Sequence, residues 1–123
     1  MSEGNGNGFF IDDGQYVTGY IEGVKGLHPA LRFEYRPTLY AERTKLMKRV
    51  NSDQADVTEE AAYVAGRMQS WNAGREPTKD NILALPASLT AKLINVVTGY
   101  VASDDDPEGL TSQHLTESET EKN

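Results

Sequence analysis

The residues best suited to chemistry lie in the stretch GYIEGVKGLHPALRFEYRPTLY, which runs from Gly19 to Tyr40. It contains His28, with Glu22 and Glu34 close to it in the sequence. Acid–base catalysis needs such groups as a positioned pair in a concave site, and a nucleophile would be a Ser or Cys beside a base. No Ser or Cys stands in such a setting here. The stretch therefore predicts no catalytic residue and a protein that is not an enzyme.

Metal and cofactor sites are not indicated either. The chain has no cysteine and two histidines, which removes thiolate ligands and leaves few imidazoles. The acidic run from Asp104 to Gly109 resembles the start of an EF-hand loop, but its twelfth position is Leu115 rather than Glu. The glycines form no GxxxxGK[ST] element that would cradle a phosphate. We expect no metal, no cofactor and a hydrated acidic run.

Basic residues are concentrated between the second half of this stretch and the helix predicted after it. They are Arg32, Arg36, Arg43, Lys45, Lys48 and Arg49. Nucleic-acid binding would use such a patch, but the sequence pI of about 4.7 argues against it. The pattern favours a solvated helix face, with a protein partner as the alternative and no nucleic-acid partner.

The chain is small and acidic, with 123 residues, 37% hydrophobic residues and a net charge of -7. Its length allows one domain with a modest core, which favours a protein partner or a homo-oligomer. Seven acids and one lysine lie from Ser103 onward, so the acidity belongs to the C-terminal end. No apolar run approaches the roughly 18 residues that a membrane span needs, and the N-terminus lacks a signal-peptide pattern. These features predict a cytoplasmic protein with no membrane partner.

Composition divides the chain into three parts. Residues 1–14 are rich in Gly and Asn and are expected to form a flexible arm, and residues 103–123 are expected to form a disordered acidic tail. Between them, residues 15–102 are predicted to form a single α+β domain with the strands first and the helices after them.

The domain is predicted to begin with an N-terminal antiparallel β-hairpin. Residues 16–24 mix β-branched and aromatic residues, and residues 31–36 alternate with Leu31, Phe33 and Tyr35 on one face. Within the first strand, Gly19 and Gly23 are expected at bulges, at a bend or at a close approach by a helix. Two strands alone are marginally stable, so helices must cover their apolar face.

Three to four helices are predicted to follow the hairpin. Thr38 is a candidate N-cap for the first, whose apolar face would hold Leu39, Arg43, Leu46, Met47 and Val50. Asp56 and Glu59 have the spacing of a capping box, and the second helix is expected to continue through Trp71. Trp71 is expected to fill the core beneath the hairpin, with a partner contact as the alternative.

The last helical segments are marked by Thr78 and Pro86. Thr78 is predicted to cap a short turn over residues 79–85, and Pro86 suits the start of a final helix. The aligned residues of that helix are Leu89, Leu93, Val96, Val97 and Tyr100.

The order of these features resembles the small tail assembly chaperones of tailed phages and prophages, over roughly residues 16–106. The resemblance rests on the hairpin GYIEGVKGLHPALRFEYRP, an Ala-rich helix ending in Trp71, the break GREPTKDNI, the helix LPASLTAKLINVVTGY and the tail SDDDPE. The corresponding positions are Trp71, Gly74, Pro77, Thr78, Asn81, Ile82, Leu85 and Pro86. The resemblance implies a non-enzymatic protein that binds the tape-measure protein, keeps it soluble and helps recruit tail-tube protein subunits.

Other function classes stay open. One is a structural virion subunit such as a head–tail connector or tail-terminator component, and another is a small regulatory protein-binding module. A partner surface is predicted on the hairpin edge and the first helix, because an uncovered edge strand can accept a partner strand. The candidate partner-binding residues are Tyr20, Phe33, Tyr35, Tyr40 and Arg43.

Overall fold

The part of the chain that the structure describes folds as an α+β protein with one antiparallel sheet and four helices. The computed structural model describes residues 15–52 and 58–108. The elements are β1 (Val17–Ile21), β2 (Leu31–Tyr35), α1 (Tyr40–Val50), α2 (Glu59–Arg67), β3 (Met68–Trp71), α3 (Lys79–Leu83) and α4 (Ala87–Val97). The predicted arm, the predicted capping residue Asp56 and the chain beyond 108 lie outside the described residues.

The predicted hairpin is confirmed, with β1 and β2 antiparallel and Tyr20 opposite Arg32. Alternation places Ile21, Leu31 and Phe33 on the sheet face that the helices cover, and Tyr20 with Arg32 on the other face. The two faces are therefore chemically different, one apolar and one that mixes aromatic and charged side chains.

Gly19 lies directly opposite Phe33 in this register, and the Phe33 ring covers it. A Cβ at position 19 would lie 2.6 Å from Cζ of Phe33, well inside van der Waals contact. A helix was one of the expected causes of a close approach at this glycine, but the close approach is made by a ring of the neighbouring strand β2. Glycine is required here because the ring occupies the space of a side chain.

The second helix was expected to run through Trp71, and this prediction is wrong. α2 ends at Arg67, and the chain continues as β3, which pairs with β2 so that Trp71 lies opposite Phe33. The guanidinium of Arg67 donates to the carbonyl oxygens of Arg36 and Pro37 at 3.1 and 2.7 Å. These bonds fix the end of α2 beside the end of β2, from where the next residues complete the sheet.

The sheet order β1-β2-β3 makes β2 the central strand. The hairpin edge that was predicted as a partner surface is therefore covered on its β2 side, because β3 pairs there. The core lies between the apolar sheet face and α2, α3 and α4. Its members are Ile21, Leu31, Phe33, Tyr35, Ala61, Val64, Ile82, Leu89, Leu93, Val96 and Val97. Trp71 is partly buried and packs against this cluster.

The predicted starts of α3 and α4 are confirmed, whereas the predicted N-cap of α1 is wrong. The Thr78 hydroxyl accepts a hydrogen bond from the backbone N–H of Asn81 at 3.2 Å, as predicted, and α4 begins directly after Pro86. Thr38 does not cap α1, which starts at Tyr40. Its hydroxyl instead accepts a hydrogen bond from the Tyr63 hydroxyl at 3.1 Å, which joins the start of α1 to α2.

None of the helices in the described parts of the chain is long and apolar enough to cross a membrane.

Substituting Gly19 by Ala tests the close contact with Phe33. We expect Gly19→Ala to lower the free energy of unfolding by about 1–3 kcal/mol, because either the ring or the β1 backbone must move. Gly66→Ala is the matched control: nothing lies within 4 Å of its Cβ position in α2. That variant should raise the free energy of unfolding by about 0.5–1 kcal/mol through helix propensity. Urea unfolding measures both, and equal effects of the two substitutions would contradict the packing at Gly19.

Candidate protein-binding surface

The structure separates the five predicted partner-binding residues into two groups. Phe33 and Tyr35 are 1% and 4% exposed, because β2 is central and helices cover its apolar face. Tyr20 lies on β1, on the other face of the sheet, and is 5% exposed. Tyr40 is 76% exposed, and Arg43 lies beside it on α1. The three buried rings belong to the fold in this structure, and we keep Tyr40 and Arg43 as candidate contacts.

Tyr40 and Arg43 border an open groove of about 540 Å³. Its lining residues are Tyr40, Arg43, Thr44, Met47, Lys48, Asn51 and Tyr100, here called the tyrosine groove. Two of these residues are cationic and none is acidic. Except for Tyr100 they are spaced three or four apart or adjacent along α1, so one helix face forms the floor.

Arg43 organises the groove through three contacts. Its Cζ lies 4.4 Å from the ring centroid of Tyr100 and 5.3 Å from that of Tyr40, so the guanidinium contacts both aromatic rings. Its Nη1 also donates to the carbonyl oxygen of Gly99 at 3.2 Å. The guanidinium therefore joins α1 to the segment after α4 and lies between the two tyrosines at the surface.

Tyr100 reaches this position because of how α4 ends. It was predicted on the apolar face of the last helix, but α4 stops at Val97 and Tyr100 is 49% exposed. The N–H groups of Gly99 and Tyr100 bond the carbonyl oxygens of Val96 and Asn95, which is the pattern of a Schellman motif. Gly99 has φ of 88°, the left-handed conformation that this motif needs. The chain therefore turns away from the core and carries Tyr100 onto Arg43.

α1 itself is held by few buried contacts. Of its residues, all described, Leu46 is the buried one. The predicted apolar face is confirmed for Leu46, which is buried, and Met47 and Val50 are half-buried. It is wrong for Leu39, which precedes the helix and is half exposed, and for Arg43, which belongs to the groove. An exposed ion pair between Arg49 and Glu59, 2.8 Å apart, adds a link to α2. Much of the helix surface therefore faces away from the protein.

A second open groove of about 420 Å³ lies between the helices. Its lining residues are Glu60, Leu83, Leu85, Ala87, Thr90, Ala91, Ile94 and Asn95. It carries no cation and no aromatic ring among these residues, so it lacks the side-chain types that dominate protein interfaces. The tyrosine groove is the better candidate for a partner.

The groups singled out for chemistry lie elsewhere. Nδ1 of His28 lies 2.8 Å from the carbonyl oxygen of the next residue, Pro29, in the hairpin loop. Within residues 15–52 and 58–108, no three His, Cys, Asp or Glu side chains are close enough to hold a metal ion.

The beginning of the predicted acidic tail packs on the sheet rather than extending into solvent. Residues 103–106, here called the C-terminal strap, run along the outer edge of β1. The backbone N–H of Asp104 donates to the carbonyl oxygen of Tyr20 at 2.8 Å, and the Tyr20 N–H donates to the Ser103 hydroxyl at 3.1 Å. The expectation that the acidic run is hydrated is therefore wrong for this part.

Asp106 anchors the strap through a two-bond contact with Arg32. Oδ2 and Oδ1 accept from Nε and Nη2 at 3.2 and 3.0 Å, and Asp106 is 4% exposed. The Arg32 guanidinium also lies 5.0 Å from the ring centroid of Tyr20. Tyr20 is thus buried beneath an arginine that the strap holds in place.

Asp104 makes the second charged contact of the strap. Its Oδ1 accepts from Lys92 of α4 at 2.9 Å, and its Oδ2 accepts from the backbone N–H of Glu22 at 2.9 Å. Burial alone would raise the pKa of Asp104, but the two hydrogen bonds and the charge of Lys92 outweigh this effect and lower the pKa below the ordinary 3.8. The ionised carboxylate is therefore the form that the fold favours.

The strap and Tyr100 are the parts that sequence reasoning missed. Gly99 before an aromatic residue was a usable signal, because a glycine at a helix end favours the left-handed turn seen here. Nothing in the run DDD distinguishes Asp106 from Asp105, since only the position of Arg32 across the fold selects it.

Comparison of the chain with protein-family models, with curated proteins and with solved structures gave no match.

The lowered pKa of Asp104 predicts how the strap responds to acid. A carboxylate with a depressed folded pKa stabilises the folded state at neutral pH, and this contribution is lost as the pH falls through that pKa. We expect Lys92→Met to raise the titration midpoint of the Asp104 carboxyl, measured by NMR, whereas Lys45→Met on α1 should leave it unchanged. Equal midpoints in the wild type and Lys92→Met would contradict the assigned contact.

Proposed function

We propose that this chain is a non-enzymatic tail assembly chaperone. In this proposal it binds the tape-measure protein in the host cytoplasm, keeps it soluble and helps recruit tail-tube subunits. The observation that supports it is the tyrosine groove, an exposed aromatic and cationic surface on a helix that the core holds loosely. The choice of the tail assembly chaperone family rests on the order of features along the sequence.

The chemistry of the groove suits a partner segment that is mainly apolar. Aromatic residues and arginine are enriched among residues that dominate interface energies, and methionine adapts its shape to different surfaces. Tyr40, Arg43, Met47 and Tyr100 supply these side-chain types together. Arg43 and Lys48 would pair with an acidic residue at the edge of the bound segment.

The groove also has the geometry of a helix-binding surface. Its floor follows α1 from Tyr40 to Asn51, about 16 Å or three turns at 1.5 Å per residue. A partner helix of similar length can place apolar side chains at spacings of three and four residues along it. Arg43 contacts both rings in the free protein, which favours the side-chain arrangement that a partner would meet.

Co-expression with the tape-measure protein of the same phage or prophage tests this function. We expect the wild-type chain to raise the soluble yield of the tape-measure protein several-fold. A Tyr40→Ala and Tyr100→Ala double variant should bind it at least about 10-fold more weakly, about 1.4 kcal/mol, because both aromatic contacts are lost. Soluble yield and pull-down from the same lysate measure the two effects.

Tyr16→Ala is the matched control for these substitutions. Tyr16 is also an exposed tyrosine beside an arginine, with the Arg36 guanidinium 6.0 Å from its ring centroid, and it does not line the groove. This variant should behave like the wild type. No change in tape-measure solubility with the wild-type chain would contradict the proposed function.

Mass spectrometry of purified particles distinguishes the chaperone from a structural virion subunit. A chaperone acts before assembly is complete and should be absent from finished particles. Detection of this chain at a constant copy number per particle would favour the structural subunit.

A further inference from the structure

The outer edge of β1 is a strand edge that would otherwise be open. The backbone N–H and C=O of Tyr20 and the N–H of Glu22 all bond to the C-terminal strap rather than to β2. Exposed edges of this kind are templates for another extended chain. The strap therefore occupies a docking site for an extended segment.

The strap also shows which segment this site accepts. Two carboxylates two residues apart, Asp104 and Asp106, pair with Lys92 of α4 and with Arg32 of β2. The Asp106 side chain is fully buried in its contact with Arg32. The site thus selects both the backbone conformation and the spacing of the acids, and every copy of this chain carries a segment that meets both requirements.

The connection between α4 and the strap is short and exposed from Gly99 onward, whereas Thr98 at its start is buried. It consists of residues 98–102, in which Gly99 takes a left-handed conformation and Tyr100 and Val101 are exposed. Five extended residues span about 17 Å. None of the strap residues belongs to the apolar core cluster.

We propose that two copies of this chain exchange their straps and form a dimer. In this dimer residues 103–106 of each copy lie on the β1 edge of the other, with the same contacts to Arg32 and Lys92. The monomer and the exchanged dimer make the same strap contacts. The equilibrium between them therefore depends on the conformation of residues 98–102 and on the protein concentration. Exchange is favoured as the chain approaches the effective concentration of a tethered segment, on the order of 1 mM.

Charge reversal of the Arg32–Asp106 pair tests the exchange with full-length chains. Arg32→Asp places two acids together in its own closed form, and Asp106→Arg places two arginines together. When the two variants are mixed, Asp106 of the first variant can pair with Arg32 of the second. The two substituted residues, an aspartate at position 32 and an arginine at position 106, form the other opposite-charge pair of the dimer. Light scattering after size exclusion should show at least about 10-fold more dimer, at twice the 13.5 kDa chain mass, than either variant alone.

The chain that carries both substitutions is the control, because it restores an opposite pair within one molecule and should behave like the wild type. No more dimer in the mixture than in the separate variants would overturn the proposal. If circular dichroism shows that either variant does not fold, the exchange is tested with wild-type chains instead. Light and isotopically heavy wild-type chains held together on the order of 1 mM should give mixed-mass dimers in native mass spectrometry, and their absence would overturn it.

Discussion

The burial of Phe33 in the central strand is the contact on which the rest of the structure depends. Its ring lies over Gly19 of β1 on one side, and its backbone position pairs with Trp71 of β3 on the other. Both neighbouring strands therefore meet at this residue. The helices then close over the same sheet face and bury the ring to 1% exposure.

This core leaves α1 outside the main packing. α2 and α4 contribute several residues to the core cluster, whereas α1 buries Leu46 and is otherwise joined by polar contacts such as Arg43 to Gly99 and Tyr63 to Thr38. A helix that a small core does not need for burial can present its side chains to a partner. The tyrosine groove follows from this division between core helices and a surface helix.

The strap covers the outer edge of β1, which is one of the two edge strands of the sheet. β3 protects one edge of β2, and β1 would stay open without Ser103, Asp104 and Asp106. Polar and charged contacts hold the strap, so its attachment responds to pH in a way that an apolar contact would not. Because its contacts are polar and charged, the strap is held independently of the apolar core.

Much of the fold was predictable because its signals are local. Alternation of Leu31, Phe33 and Tyr35 marked a strand with one apolar face, and Thr78 marked a helix start through a bond to a residue three positions away. β3 was missed because Met68 and Trp71 are three residues apart, which fits a helix as well as a strand end.

The candidate site was predictable only in part. Tyr40 and Arg43 were identified, but Tyr20, Phe33 and Tyr35 were placed with them because a strand pattern does not show which edges and faces become covered. That information comes from β3 and the strap, which join the sheet from distant parts of the chain. Long-range pairing of this kind leaves no periodic pattern in the sequence.

NMR mapping tests most directly whether the tyrosine groove is the partner surface. Peptides from the tape-measure protein of the same phage or prophage would be titrated into the isotope-labelled full chain. The account predicts that the signals of Tyr40, Arg43 and Tyr100 shift in proportion to bound peptide while those of Leu83 and Ala91 in the second groove stay in place. Shifts confined to the second groove would contradict it.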